Sequence, residues 1–189
     1  MGRTPEYDRD AVLAAALRAF WTYGYASTSI DALVEATGLQ RSGLYRAFGS
    51  KADLFREAVE RYAALRLASV DVAAPPLAQL ERWFDQGIRG HMVDDAPPGC
   101  LLVHSASDLA SLDPDLRPLV QAHLGMVEVW FRSLVERIDP TADAGRLAAV
   151  LAGANVAIHT LRRAGTPEPT LVAIADAALA PVRGRGISA

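Results

Sequence analysis

The sequence predicts an all-α protein of about nine helices, with a three-helix helix-turn-helix head in front of a larger helical body. Three observations carry that reading. Apolar residues recur at three- and four-residue spacing along most of the 189 residues, as amphipathic helices require. Capping signatures and glycine stops then punctuate the chain at helix-length intervals. No convincing strand is written anywhere.

Helix by helix, the first runs from about Asp8 to Tyr23, with Val12, Leu13, Ala16, Leu17 and Phe20 on one face and Gly24 as its stop. Thr28 to Asp31 reads T-x-x-D, a capping box that opens a short second helix through Ala36 before Gly38. A third short helix covers roughly Gln40 to Ala47 and breaks at Gly49. Ser50 to Asp53 repeats the capping pattern, and a fourth helix continues to about Asp71. "AAPPL" at 73–77 marks a junction. Helices at about 77–93 and 100–109 follow, then a long one capped at Asp113-Pro114 that reaches Ile138, and two more at about 143–164 and 168–180. The domain organisation expected is a head at 1–50, a connecting helix at 51–72, and an effector-binding and dimerisation region at 73–189.

Composition narrows the function classes. The chain is 51% hydrophobic and 22% charged, with one cysteine, which excludes an intrachain disulfide framework. No apolar run approaches the ~20 residues of a membrane span. "MGRTPEYDRD" lacks the apolar core of a secretory signal. A cytoplasmic protein without membrane partners, cofactor or metal is expected. Net charge is −3, yet residues 1–62 balance eight cations against eight acids. Within them "LQRSGLYRAFGSK" carries Arg41, Arg46 and Lys51 and no acid, which leaves a local basic face.

That stretch is a poor helix by propensity, because Ser42 and Gly43 sit where Ala or Leu would be favoured. Two short helices around a tight glycine-containing turn, the second polar and basic, match a helix-turn-helix. Its second helix enters the major groove, where small side chains let the backbone approach DNA. Arg41 and Arg46 can reach guanine or phosphate, Lys51 can reach phosphate, and Tyr45 can place its hydroxyl on the backbone.

The run "YGYASTSIDALVEATGLQRSGLYRAFGSKADLF" resembles the DNA-binding head of the TetR family of bacterial transcriptional regulators. Phe20, Gly24-Tyr25, Thr28-Ser29-Ile30, Gly38, Leu44-Tyr45, Phe48, Ser50-Lys51 and Leu54-Phe55 carry the likeness. Val34 and Gln40 depart from the family's usual Ala and Ser or Thr, which bears on the bases read. The resemblance implies that Thr28 and Ser29 touch phosphate. It puts Gln40, Arg41, Ser42, Gly43, Tyr45 and Arg46 at the groove, Lys51 on phosphate, and Arg3 near the minor groove.

It also implies a homodimer on a two-fold double-stranded DNA operator, paired through the last two helices, and a repressor released by a small-molecule effector. "RLAAVLAGANVAIHTL" and "TLVAIADAALAPV" suit such pairing, being apolar nearly all round and rich in small residues. Asn155 and His159 read as satisfied core or interface polars. Candidate effector-pocket residues are Trp83, Phe84, Ile88, Met92, Leu102, Met126, Trp130 and Phe131, with Cys100 and His104 beside them.

Cys100 follows Pro-Pro-Gly at a helix start, where the dipole favours a thiolate and nearby Asp94 and Asp95 oppose it. Gly-Cys-Leu resembles a subset of the family with thiol-sensing members; a buried packing cysteine is the alternative. Cys100 and His104, with His91 and His123 elsewhere, give too few ligands for a defined metal site. Two rival classes remain: a helical thiol-dependent enzyme using Cys100, His104 and Asp108, and an interaction module without DNA binding.

Overall fold

A computed structural model describes residues 7–90 and 96–184, and these form nine α-helices with no strand among the described residues. They are α1 Arg9–Tyr23, α2 Ile30–Thr37, α3 Arg41–Phe48, α4 Lys51–Ala68, α5 Pro76–Arg89, α6 Leu101–Ser107, α7 Arg117–Ile138, α8 Ala144–Arg163 and α9 Glu168–Arg183. Two single 3-10 turns, Leu109–Ser111 and Pro114–Leu116, link α6 to α7.

Local chemistry sets most boundaries. Asp8 caps α1 by accepting from the Asp10 and Ala11 amides at 2.9 and 3.2 Å. Ser50 accepts from the Asp53 amide at 3.0 Å and donates to its carboxylate at 2.6 Å, so the expected capping box opens α4. Three of the boundaries that differ from expectation are those of α2, α5 and α7. Ser29, not Thr28, caps α2 by accepting from the Ala32 amide at 3.0 Å. The helix expected to reach Val93 ends at Arg89 with Gly90 as its left-handed cap. The long helix expected from Asp113 is preceded by the 3-10 turn at Pro114–Leu116 and starts at Arg117.

Two cores result. In the first, Phe20 meets Phe55 edge-on at 5.1 Å, and Trp21 meets Tyr62 edge-on at 4.8 Å. Leu33, Leu44 and Phe48 fasten α2 and α3 to it. Chain from far beyond the front completes this core: Cys100 to Val103, Leu112, Leu116 and Val120. The second core gathers α5, α7, α8 and α9 around Phe84 and Phe131, stacked at 5.9 Å.

Two glycines are required by close approach. Gly24 has φ +82°, and a Cβ there would lie 3.0 Å from the His104 ring. Gly99 has φ +89°, and a Cβ would lie 2.9 Å from the His159 carbonyl oxygen, so α6 starts flush against α8 only with glycine there.

Helix α8 corrects the reading that no apolar run approaches spanning length. By length and composition it could cross a bilayer, with a mean hydropathy of 1.2, and a third of that window is buried. Its buried side, Ala148, Leu151 and Ile158, belongs to the second core.

Phe20→Ala should lower the unfolding free energy by about 3–5 kcal/mol in urea denaturation. Val129→Ala, on an exposed α7 face, should change it by no more than about 0.5 kcal/mol. Equal losses would contradict the placement of Phe20 at the head's centre.

Candidate nucleic-acid interface and effector cavity

Helices α2 and α3 meet through the Gly38-Leu39-Gln40 turn. Leu44 and Phe48 are buried on α3, whereas Arg41, Ser42, Tyr45 and Arg46 are exposed, Tyr45 by 46%. Gln40 precedes α3 without making a side-chain capping bond. A Cβ on Gly43 would meet only Leu39, at an ordinary 3.8 Å. The head's own packing therefore does not demand glycine there.

Three expected contacts are placed differently. Thr28 is fully buried, and its hydroxyl donates to the Gly24 carbonyl at 2.6 Å, so the side chain braces the α1–α2 corner and cannot touch phosphate. Exposed Ser29 stands at the helix start instead. Arg41 has an acid after all: Asp31, ten residues away on α2, pairs with it at 2.6 Å across an exposed surface. Lys51 is half-buried, its ammonium 4.3 Å from the Tyr25 ring centroid. Burial lowers the Lys51 pKa and nearby Asp113 opposes that. One unanticipated cation, Arg9, lies 4.6 Å over the Phe48 ring and pairs with Glu57 at 2.7 Å, pinning the end of α3.

The α1–α2 corner is gripped by the body. Tyr25 donates to Asp113 at 2.5 Å. Arg163 of α8 donates to the Trp21 and Thr22 carbonyls at 3.1 and 2.6 Å, capping the end of α1.

Between α4, α5, α6, α7 and α8 lies a mostly apolar cavity of about 290 Å³. Trp83, Cys100, Leu102, Met126 and Trp130 line it as expected. Phe84, Ile88 and Phe131 do not; they are buried in the second core, because their side of α5 and α7 faces α8 and α9. His104 does not either, since its ring packs under Gly24 and bonds the Trp21 backbone. Arg3, His91, Met92, Asp94 and Asp95 lie outside the described residues.

Five polar wall residues escaped the pocket reading: Tyr62, Arg66, His123, Asn155 and His159. Asn155 is satisfied, accepting from the Trp83 indole at 2.9 Å. His159 is not, because its Nδ1 is buried without a partner, as is Nη2 of Arg66. A signal for Tyr62 and Arg66 was available: with Ala58 they recur every fourth residue on one face of α4, the face that carries Phe55.

Cys100 and His104 part company despite their spacing. The thiol meets the Tyr62 hydroxyl at the cavity, the imidazole turns to α1, and Asp108 accepts from Ser111 at 2.5 Å. No thiol–imidazole–carboxylate relay is assembled. Among the described residues no three of His, Cys, Asp and Glu gather as a metal site.

A helix-turn-helix head with an outward polar helix, on a helical body enclosing an apolar cavity, is the architecture of a helix-turn-helix DNA-binding protein with room for a small molecule. Residues 12–58 match the family description of bacterial regulatory proteins, tetR family. The chain is 32% identical over 139 residues to the HTH-type transcriptional repressor ComR of Escherichia coli (strain K12), across 67% of this chain and 63% of ComR. It thus spans less than two thirds of that relative. A cysteine-substituted form of the TetR-family regulator CifR, solved on 26-bp operator DNA, superposes with a TM-score of 0.82 at 28% identity, covering 94% of this chain and 98% of CifR. The fold is also that of AibR, solved with isovaleryl coenzyme A and operator DNA, at a TM-score of 0.62, 19% identity and coverage of 80% and 85%. Regulators of this family are not enzymes.

Burial, with Arg66 and Arg162 adding to it, pushes the His159 pKa down to about 3. An unfolded imidazole titrates near 6.5, so between those values the unfolded chain takes up a proton that the folded chain refuses. This contribution to stability is complete above about pH 6.5 and is lost as pH falls toward about 3. His104 and His123 are lowered in the same direction by burial. Urea titrations from pH 7 to 4 should show stability falling by on the order of 1 kcal/mol per pH unit. His159→Gln should flatten that slope, and an unchanged slope would mean that His159 is not held neutral.

Proposed function

We propose that the chain is a dimeric repressor that binds a palindromic operator through α3 and is released when a small molecule enters the cavity. The observation that carries this is the division of α3. Leu44 and Phe48 spend its inner face on the head, while Arg41, Ser42, Tyr45 and Arg46 are left to DNA, with Gln40 at its entrance. The Arg41–Asp31 pair is exposed, hence easily exchanged for phosphate or guanine. Ser29 and Lys51 supply phosphate contacts from the starts of α2 and α4. The repressive sign is supported by the names of ComR and related regulators, and a cytoplasmic location accompanies the role.

Dimerisation through α8 and α9 is supported by what they leave uncovered. Val150 and Val156 on α8 are 48% and 43% exposed on the face shared with Gly153. Small residues of α9, Ala173, Ala177 and Ala180, are exposed as well. A single head makes few phosphate contacts, so a second is needed for specific binding at physiological salt. Residues 1–50 then read DNA, 51–72 connect, and 73–189 bind effector and partner. A thiol-reactive signal at Cys100 is the second reading, favoured by the placement of its thiol in the cavity wall beside Tyr62.

Tyr45→Ala and Arg41→Ala should each weaken operator binding by at least about tenfold in gel shifts while circular dichroism and light scattering stay unchanged. Wild-type affinity should fall roughly a thousandfold between about 50 and 200 mM salt. Unaltered operator affinity in both variants would remove α3 as the reading helix. Val150→Asp with Val156→Asp should give monomers by light scattering and lose operator binding; a stable dimer would place the interface elsewhere.

A further inference from the structure

The cavity has a charge that none of the described wall residues answers. Arg66 is 7% exposed, its guanidinium carbon sits 3.7 Å over the Trp83 ring, and Nη2 has no hydrogen-bond partner. Stacking satisfies the face of a guanidinium but not the N–H groups at its edge. Among the described residues no Asp or Glu lines the cavity. Glu60 acts on His123 from outside the wall.

A second unpartnered polar atom belongs to another residue of the cavity wall. His159 is 4% exposed with Nδ1 unpaired, and burial beside Arg66 keeps its ring neutral. A neutral imidazole can carry its proton on Nδ1 and donate it. Away from this polar end the wall is Leu67, Leu124, Val127 and Trp130. At about 290 Å³, the space stands at the lower end of the roughly 300–1,000 Å³ typical of small-molecule pockets. One ring or a short chain fits; a coenzyme-sized molecule does not.

We propose that the cavity binds a small monocarboxylic acid with an apolar body, its carboxylate on Arg66 and His159 and its hydrocarbon against α7. A carboxylate matches the planar fork of a guanidinium, and a single cation calls for a single negative charge. This rests on the reading of the cavity as the effector site and names its ligand class. The same arrangement explains why a cation stacked on Trp83 is tolerated in an otherwise apolar pocket: its counter-charge arrives with the ligand.

The test uses the full chain, 4-phenylbutyrate and its uncharged isostere 4-phenylbutyramide, read by fluorescence of the wall tryptophans Trp83 and Trp130 and by thermal shift. The acid should bind at least about tenfold tighter than the amide. Arg66→Met should abolish that margin, and Arg66→Lys should retain part of it. Straight-chain acids from butyrate to decanoate extend the series. Equal binding of acid and amide, binding of no acid in the series, or a margin that survives Arg66→Met overturns the assignment. Should Arg66→Met fail to fold, the acid–amide comparison on wild type still decides. Operator release is measured separately. An acid that binds with the expected margin but leaves the DNA complex intact upholds the ligand class and removes the effector reading.

Discussion

The packing of α4 into both cores is the constraint on which the rest of the molecule depends. Its N-terminal half places Leu54, Phe55 and Val59 in the head, with Phe20 edge-on to Phe55. Its C-terminal half carries Tyr62 to Trp21 and Cys100, and Arg66 to Trp83. At ~1.5 Å per residue the helix is about 27 Å long, and it is stiff because its ladder is uninterrupted between the Ser50 cap and Ser69. The cavity wall and the floor of the DNA-reading head are therefore two ends of one rod.

A rod alone would let the head swing about it, and the α1–α2 corner prevents that. Arg163 holds the last carbonyls of α1, Tyr25 is tied to Asp113, and Gly24 gives His104 room beneath the backbone. These grips come from α8, from the segment before α7, and from α6, and α6 and α8 both reach the cavity. Lys51 leans on the same Tyr25 ring, so the cation at the start of α4 is positioned by a tyrosine that the body holds. A ligand that moves α6, α7 or α8 relative to α4 acts on the head through these contacts, which gives coupling between the two sites a physical path.

What could be read from sequence was what local chemistry decides. The Ser50–Asp53 box was legible because capping is settled within four residues, and the outward and inward faces of α3 followed from helical spacing. The second helix start was misread by one position: Thr28 fits the same letters, but tertiary burial claims its side chain and leaves the cap to Ser29. The basic window was free of acids only along the chain, since folding brings Asp31 beside Arg41. The cavity was half legible. Aromatic residues of α5 and α7 announced an apolar space, but Arg66 was missed: its place on the Ala58–Tyr62 face was legible, while its enclosure depends on tertiary packing.

Helix α8 is apolar enough to pass as a bilayer span, and the reason is that it serves two surfaces. Leu151, Asn155, Ile158 and His159 face inward, the two polar ones forming part of the cavity wall. Val150, Gly153 and Val156 face outward, where the proposed partner helix would cover them. A helix covered on both sides needs small apolar residues all round, and it has little freedom to tilt once covered. The orientation of His159, and with it the polar end of the cavity, is then fixed by the same packing that, in the proposed dimer, sets the spacing of the two heads. In the proposed dimer, ligand binding and DNA binding would meet in α8 as well as in α4, because a shift of α8 that suits the ligand must also be accommodated across the interface that spaces the two reading helices.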